Sequence, residues 1–446
     1  MRFPTLIVEH DTERPARDFQ VAAALASRLA KLTGRAYRLV RMGGVRDAPL
    51  PGETCEHVTA EGALTVNGWL WVDRAEPSLP RSVARLSTSA TLPVDDACVI
   101  SINRRVLAND DVDAWCATMR DAFPQAISLQ AFDKPDRVSV QWAPLSATRP
   151  SARADLHLDP YGRLRTDEVQ SVAGRIAGAS PAPGKSHGDK APASPGPAIL
   201  VIGESAHHAM VYPAVGAAIG DAADALGRVP TLRYLSGDAA TERQLRNALR
   251  EIDGLLLPGG SDLGQVKGQI AAATMALADG IPTLGLCLGM QTMVTALARE
   301  MAGWSGANLE EADPRAPALT FRRLEQRGVP FHRLGLRTMR FARDSVFRRL
   351  YEADEATEHV NHRYILDREL ATLLEARGLE LSATGAESET TIVDGISWRP
   401  HAFYIGVQGH PEQSSRRSRP HPLVLAWLRA ALAISSSPPK RRAEHS

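Results

Sequence analysis

Short apolar runs recur along this chain, separated by stretches whose apolar positions fall three and four residues apart. That alternation is expected of strands and helices in an α/β protein. Thr5–Glu9, Cys98–Ile102 and Val138–Trp142 read as strands, with a helix expected near Asp111–Phe123. Between Ala16 and Leu32, the residues Leu25, Leu29 and Leu32 share one helical face, and Gly34 follows as a C-cap. Leu64–Val72 carries Asn67-Gly68 at its centre, the pair favoured in a two-residue hairpin turn. Leu156–Leu164, turning at Asp159–Gly162, predicts a second hairpin.

Large apolar residues thin out over 171–197, where Pro, Gly, Ala, Ser and Lys take over. Such a composition buries too little to fold and reads as a flexible linker. The chain therefore divides into a mixed α/β domain over 1–170, the linker, a second α/β domain over 198–434 and a disordered tail over 435–446. The tail contains Pro438-Pro-Lys-Arg-Arg442, a basic run that chiefly solubilises.

The candidate chemistry lies in the second domain. The apolar run Ile281–Leu286 ends abruptly in Gly285-Leu-Cys287-Leu-Gly289. Two glycines permit a sharp strand-to-helix turn that leaves the Cys287 thiol at its apex, as in other nucleophile elbows. A cysteine at a helix N-terminus has its thiolate favoured by the backbone N–H groups and the dipole. It needs a base, and His410-Pro411-Glu412 supplies an imidazole with a carboxylate to orient it. Taken alone, Cys287 would be an inert buried residue; the glycine-framed elbow and the downstream His-Pro-Glu make it a nucleophile candidate.

At these residues the chain resembles the class I glutamine amidotransferases, and within that family the glutaminase domain of CTP synthase. Leu257-Pro-Gly-Gly260 is similar to the turn after the oxyanion strand, and Gly268-Gln-Ile-Ala-Ala272 to the helix after it. Ala298-Arg299 through Ala307-Asn308 to Glu311, Arg333-Leu-Gly335, His362-Arg-Tyr364 and His421-Pro-Leu423 are similar to later family segments, in order. The likeness covers roughly Pro197 to Leu432. It implies a doubly wound, flavodoxin-like amidotransferase domain behind a separate mixed α/β domain, and a Cys287–His410–Glu412 triad that hydrolyses L-glutamine. It implies further that backbone N–H groups of Gly260 and Leu288 form the oxyanion hole, and that Gly259, Gln291, Glu311 and Arg363 bind the substrate. His362 reads as structural support. Two departures stand out: Gly409 and Ser261 occupy positions where CTP synthase carries aromatics, which would enlarge the glutamine pocket.

The first domain is not recognised. Met1 to Pro195 hold no Gly-x-x-x-x-Gly-Lys-Ser/Thr phosphate loop. His10-Asp11, with Arg14 and Arg17, would suit a phosphate or carboxylate at a helix start, or simply a solvated terminus. Asp95-Asp96 and Asp110-Asp111 suit metal ligands or helix caps, and Trp69, Trp71 and Trp142 a core or a stacking platform.

A formal net charge of +1 points to no nucleic-acid or membrane partner. Cys55, Cys98, Cys116 and Cys287 lack metal spacing, and no export leader or long apolar span is present, so a cytoplasmic enzyme without a metal of its own is expected. Three readings follow. In the first, ammonia passes to an acceptor on the N-terminal domain or on a partner synthetase or ligase that itself uses ATP and Mg. In the second, the protein is a stand-alone hydrolase of γ-glutamyl amides or peptides. In the third, the fold survives as a non-catalytic binding module, against which the complete triad argues.

Overall fold

The computed structural model describes residues 5–12, 17, 20–42, 71, 74, 84–86, 97–104, 113, 114, 117, 126–178, 194–260, 262–387 and 390–436. The chain divides into two compact units, residues 1–191 with 207–217, and residues 192–206 with 218–446.

The first unit is built on β1 (Leu6–Asp11), α1 (Gln20–Thr33), β2 (Arg38–Met42), β3 (Ala84–Leu86), β4 (Cys98–Asn103), β5 (Ile127–Asp133), β6 (Arg137–Pro144), β7 (Ala152–His157) and α2 (Thr166–Ile176). Its seven strands run in the order β3-β2-β4-β1-β5-β6-β7. The first five are parallel and the last two antiparallel. Leu6, Ile7 and Val8 of β1, with Val99 and Ile100 of β4, are wholly buried, as continuous apolar runs of a covered parallel sheet should be.

Helix α1 buries Leu25 and Leu29 and closes at Gly34, whose φ of 67° is the left-handed conformation a C-cap needs. Leu32, expected on the same face, is 37% exposed in the last turn of the helix. The Leu156–Leu164 hairpin forms only a single bridge, Leu158 to Leu164, closed by the Asp159 carboxylate accepting from the Tyr161 and Arg163 amides. Strand β7 finds its partner in β6 instead. Trp142 is buried and stacks under the Arg175 guanidinium, a core role. Trp71 is buried too, but its backbone is helical, not extended. The rest of the Leu64–Val72 hairpin, Trp69, Arg14, the paired aspartates, most of the Asp111–Phe123 helix and the 437–446 tail lie outside the described residues.

Ordered structure also enters the segment read as a linker. Helix α2 runs through Ile176, burying Val169, Val172, Ala173 and Ile176, while β8 begins at Ser194. Its apolar residues sit at helical spacing, a signal that the polar average of the segment conceals.

The second unit contains β8 (Ser194–Ile202), β9 (Arg228–Leu235), α3 (Glu242–Arg250), β10 (Gly254–Leu257), α4 (Val266–Asp279), β11 (Thr283–Leu286), α5 (Leu288–Met301), β12 (Phe321–Arg323), β13 (Glu325–Gln326), β14 (Val329–Pro330) and β15 (Arg333–Phe341). It continues with α6 (Val346–Tyr351), β16 (Glu355–His362), β17 (Tyr364–Leu366), α7 (Arg368–Glu375), β18 (Leu379–Glu387), β19 (Thr390–Trp398), β20 (Tyr404–Val407), α8 (Pro411–Ser414) and α9 (Pro422–Ser435). The main sheet has nine strands in the order β16-β15-β18-β19-β20-β11-β10-β8-β9. From β20 to β9 the strands are parallel; from β16 to β19 they are antiparallel. Adjacent parallel strands β20, β11 and β10 end beside one another, so the turns that leave them converge, and this is where open α/β sheets bind ligands. Among the described residues no helix is long and apolar enough to cross a membrane.

A buried ion pair ties two strands of the antiparallel half together across β18. Arg333, fully buried at the start of β15, forks onto both oxygens of Asp394 on β19. Gly385 leaves room for it, since a Cβ there would lie 2.2 Å from Asp394 Oδ2. Removing one partner strands a buried charge, so Arg333→Leu should lower stability by about 3–5 kcal/mol in urea titrations, with Arg333→Leu/Asp394→Leu recovering part of it.

Candidate functional site

The elbow forms as its glycines predict. Cys287, the N-cap of α5, has φ 48° and ψ −106°, a conformation of the kind that costs an ordinary residue roughly 1–3 kcal/mol. Packing enforces it: a Cβ on Gly289 would lie 2.0 Å from Leu257 O, and one on Gly285 would lie 2.3 Å from Met293 Sδ. The Cys287 amide donates to Val407 O at 2.8 Å, pinning the elbow to the neighbouring strand β20.

Three residues beyond that strand end stands His410, whose amide donates to His359 O on β16 at 2.8 Å. The His410 Nδ1 and Glu412 Oε1 atoms are 2.8 Å apart, both side chains buried. Burial alone would pull the His410 pKa down. The charges of Glu412 and Cys287, and hydrogen bonds to both, overcome this and hold it well above the ordinary 6.5. The Cys287 sulfur also receives Gln408 Nε2 at 3.6 Å, and its S–H donates to Asn361 O at 3.7 Å.

The turn after β10 presses on this pair. A Cβ on Gly259 would stand 3.0 Å from His410 Cε1 and 3.1 Å from the Cys287 Cβ, so only glycine fits comfortably. Gly260 has φ 144°, a backbone state reserved for glycine. Gln269 on α4 steadies the turn by donating to Pro258 O, and accepts from Thr292 on α5. Leu288 is the first residue of α5. The structure thus brings Gly259, Gly260, Cys287, Leu288, His410 and Glu412 to one place.

Gln291, one helical turn on, is 3% exposed and donates to Gln408 Oε1, while its own Oε1 has no partner. Arg363 directly precedes β17, a strand of a small two-stranded sheet. Strand β12 pairs with β17, setting Arg323 opposite Tyr364, and the Arg323 amide donates to Glu310. The Tyr364 pKa is raised by burial, then by the charge of Glu311, with Arg363 pulling the other way, so both ions lie within electrostatic reach of this one ring.

His362 is a support. Buried, with Nδ1 against Tyr364 O and Nε2 against Arg333 Nη1, it is driven by desolvation and by Arg333 down to about 3. Behind α8, Glu358 on β16 accepts from Tyr351, faces His421 Nε2 and holds Ser414, which fixes the helix that carries Glu412. The vacancy at Gly409 faces β16: a Cβ there would meet His359 O at 3.1 Å and Glu358 Cβ at 3.3 Å. The expected enlargement of the pocket at this position is therefore corrected, and Ser261 lies outside the described residues. Gln408, His332 and Asn361 were not anticipated; for Gln408 its place two residues before His410 was a usable signal, whereas nothing local marks His332.

Residues 218–429 match the family described as glutamine amidotransferase class-I. This stretch is a class-I glutamine amidotransferase domain. Among curated proteins the amidotransferase half is similar to the CTP synthases of Acidothermus cellulolyticus (34% identical over 213 residues, 45% of this chain and 38% of that protein) and Thermus thermophilus (36% over 210 residues, 45% and 38%). The CTP synthase of a Synechococcus species is 34% identical over 245 residues, 54% of this chain and 45% of that one. The chain thus spans about two-fifths of the length of the curated relatives it matches. Among solved structures, the glutaminase domain of Trypanosoma brucei CTP synthase with bound acivicin aligns with a TM-score of 0.50 at 26% identity, covering 55% of this chain and 98% of that one.

The amidotransferase site makes a chemical prediction. Both cysteines are buried, but only Cys287 has His410 beside it, so at neutral pH iodoacetamide should alkylate Cys287 well ahead of Cys98, and His410→Asn should slow the Cys287 reaction by tenfold or more (about 1.4 kcal/mol) as the imidazolium is lost. Equal rates in both proteins, followed by peptide mass spectrometry, would refute the pairing.

Proposed function

We propose that this protein hydrolyses L-glutamine to glutamate and ammonia and delivers the ammonia to an acceptor held by the N-terminal unit or by a partner synthetase. The observation that carries the reading is His410, raised in pKa between Cys287 at a strained elbow and Glu412. Cys287 attacks the side-chain carboxamide carbon. The developing oxyanion is met by the backbone N–H groups of Gly260 and Leu288. His410 gives its proton to the departing ammonia, leaving a γ-glutamyl thioester. It then takes a proton from water as the water attacks the thioester, and the sulfur leaves with glutamate released. Glu412 keeps the ring oriented with Nδ1 as its donor.

The amino-acid end of the substrate calls for two opposite charges, and Glu311 and Arg363 both act on Tyr364. Glu311 would meet the ammonium and Arg363 the carboxylate, while the unpartnered Gln291 Oε1 would accept from the carboxamide, with Gly259 lining the entry. Acivicin in the similar trypanosomal domain supports a glutamine-shaped pocket. Activation of the acceptor falls to a partner enzyme using ATP and Mg. The hydrolase reading draws on extra room at Ser261 and Gly409, and of these the vacancy at Gly409 faces β16.

The test is glutamate release by purified protein from glutamine and from a panel of substituted γ-glutamyl amides. We expect turnover of glutamine, abolished in Cys287→Ala, and a KM raised roughly tenfold or more in Arg363→Gln by loss of a charge-assisted contact. Preference for the substituted amides would instead establish the hydrolase.

A further inference from the structure

Arg363, the residue assigned above to the substrate carboxylate, is met by a second side chain that neither the glutaminase chemistry nor the family likeness calls for. The antiparallel pairing of β15 with β16 aligns Arg333 with His362. That register carries the next residue out on each strand, His332 and Arg363, to opposite sides of the same step. Arg363 Nη2 stands 3.4 Å from His332 Nδ1, and His332 Nε2 stands 2.6 Å from Asn361 Oδ1.

The chemistry of these partners fixes the tautomer. A guanidinium only donates, so Nδ1 must offer its lone pair to Arg363. The Asn361 oxygen only accepts, so Nε2 must carry the hydrogen. Asn361 is itself placed firmly: it is 9% exposed, and its own carbonyl accepts from Cys287. One residue on β16 therefore faces the nucleophile with its backbone and, through His332, the substrate-binding arginine with its side chain. The other ionisable groups facing His332 cannot take its place. Arg333 is bound to Asp394, and His362 is neutral and bonded to Arg333 and to Tyr364 O.

We propose that His332 is a positioning residue that aims Arg363 at the carboxylate of bound glutamine, setting affinity for the amino-acid end of the substrate without entering the chemical step. This rests on the glutaminase reading. A long, flexible arginine loses rotamer freedom when it binds, and a preformed acceptor on one guanidinium nitrogen reduces that loss. Charging His332 would turn its Nδ1 from an acceptor into a donor facing another donor, and add a second positive charge beside the first. Desolvation, then the Arg363 charge, against the opposing Asn361 contact, lower its pKa from the ordinary 6.5. The imidazole is thus neutral at physiological pH, and the aim of Arg363 fails only as the medium turns acidic.

Glutamine kinetics of wild type, His332→Leu and His332→Gln between pH 5 and 8 test this. Leucine removes the acceptor; glutamine can donate to Asn361 and accept from Arg363 but cannot titrate. In His332→Leu, KM should rise roughly tenfold, the scale of one hydrogen bond to a charged group, with kcat held within about twofold. In His332→Gln, KM should return most of the way to the wild-type value at pH 8. Toward the acid end of that range, below the ordinary histidine pKa, the wild-type KM should climb while that of His332→Gln changes less. An unchanged KM in His332→Leu, or a fall in kcat at constant KM, overturns the inference. The rate of Cys287 alkylation by iodoacetamide separates a collapsed site from a misaimed arginine: it should match wild type in both variants, and a slowed rate in His332→Leu would mean that the substitution acts through the nucleophile. Wild type that turns over no glutamine sinks the glutaminase reading itself, an outcome distinct from active wild type with indifferent His332 variants.

Discussion

The left-handed backbone of Cys287 is the constraint on which the rest of this site depends. A non-glycine residue adopts φ 48° only when its surroundings leave no alternative, and here Gly285 and Gly289 admit Met293 and Leu257 so closely that no side chain could intervene. The outcome is a thiol at the mouth of a helix, anchored through its amide to β20. Because β20 is the strand that delivers His410, nucleophile and base are fixed relative to each other by a parallel pairing, Leu286 with Val407, and not by a flexible loop.

The same reliance on strand pairing extends outwards. Strand β16 supplies His359 O to the His410 amide, Asn361 O to the Cys287 thiol and Glu358 to the helix behind Glu412. At the end of its pairing with β15, His362 Nε2 meets Arg333 Nη1, and Arg333 is itself bound to Asp394 on β19. A pair with so high a desolvation cost is weak evidence of net stability; what it does here is fix the Arg333 side chain that His362 meets.

Much of the amidotransferase half was legible in the chain, because its reactive parts are local. Gly-x-Cys-x-Gly and His-Pro-Glu each encode a turn within five residues, so the elbow and the imidazole–carboxylate pair could be anticipated from spacing alone. Helix α1 and strands β1, β4 and β6 were equally plain from periodicity. What escaped were contacts made by register. His332 carries no signal of its own until β15 lies against β16, and Gly409 looks like lost pocket volume until its missing side chain is seen to face His359. The start of the supposed linker failed for another reason: its average composition is polar, yet Val172 and Ile176 are spaced for a helix and find a core.

The proposed hydrolysis passes through a covalent γ-glutamyl thioester at Cys287. Acid quenching of the protein during glutamine turnover, followed by mass spectrometry of the peptide that holds Cys287, should show that residue carrying a glutamyl group, and Cys287→Ala should show none. Turnover of glutamine with an unmodified Cys287 at every quench time, and undiminished in Cys287→Ala, would contradict it.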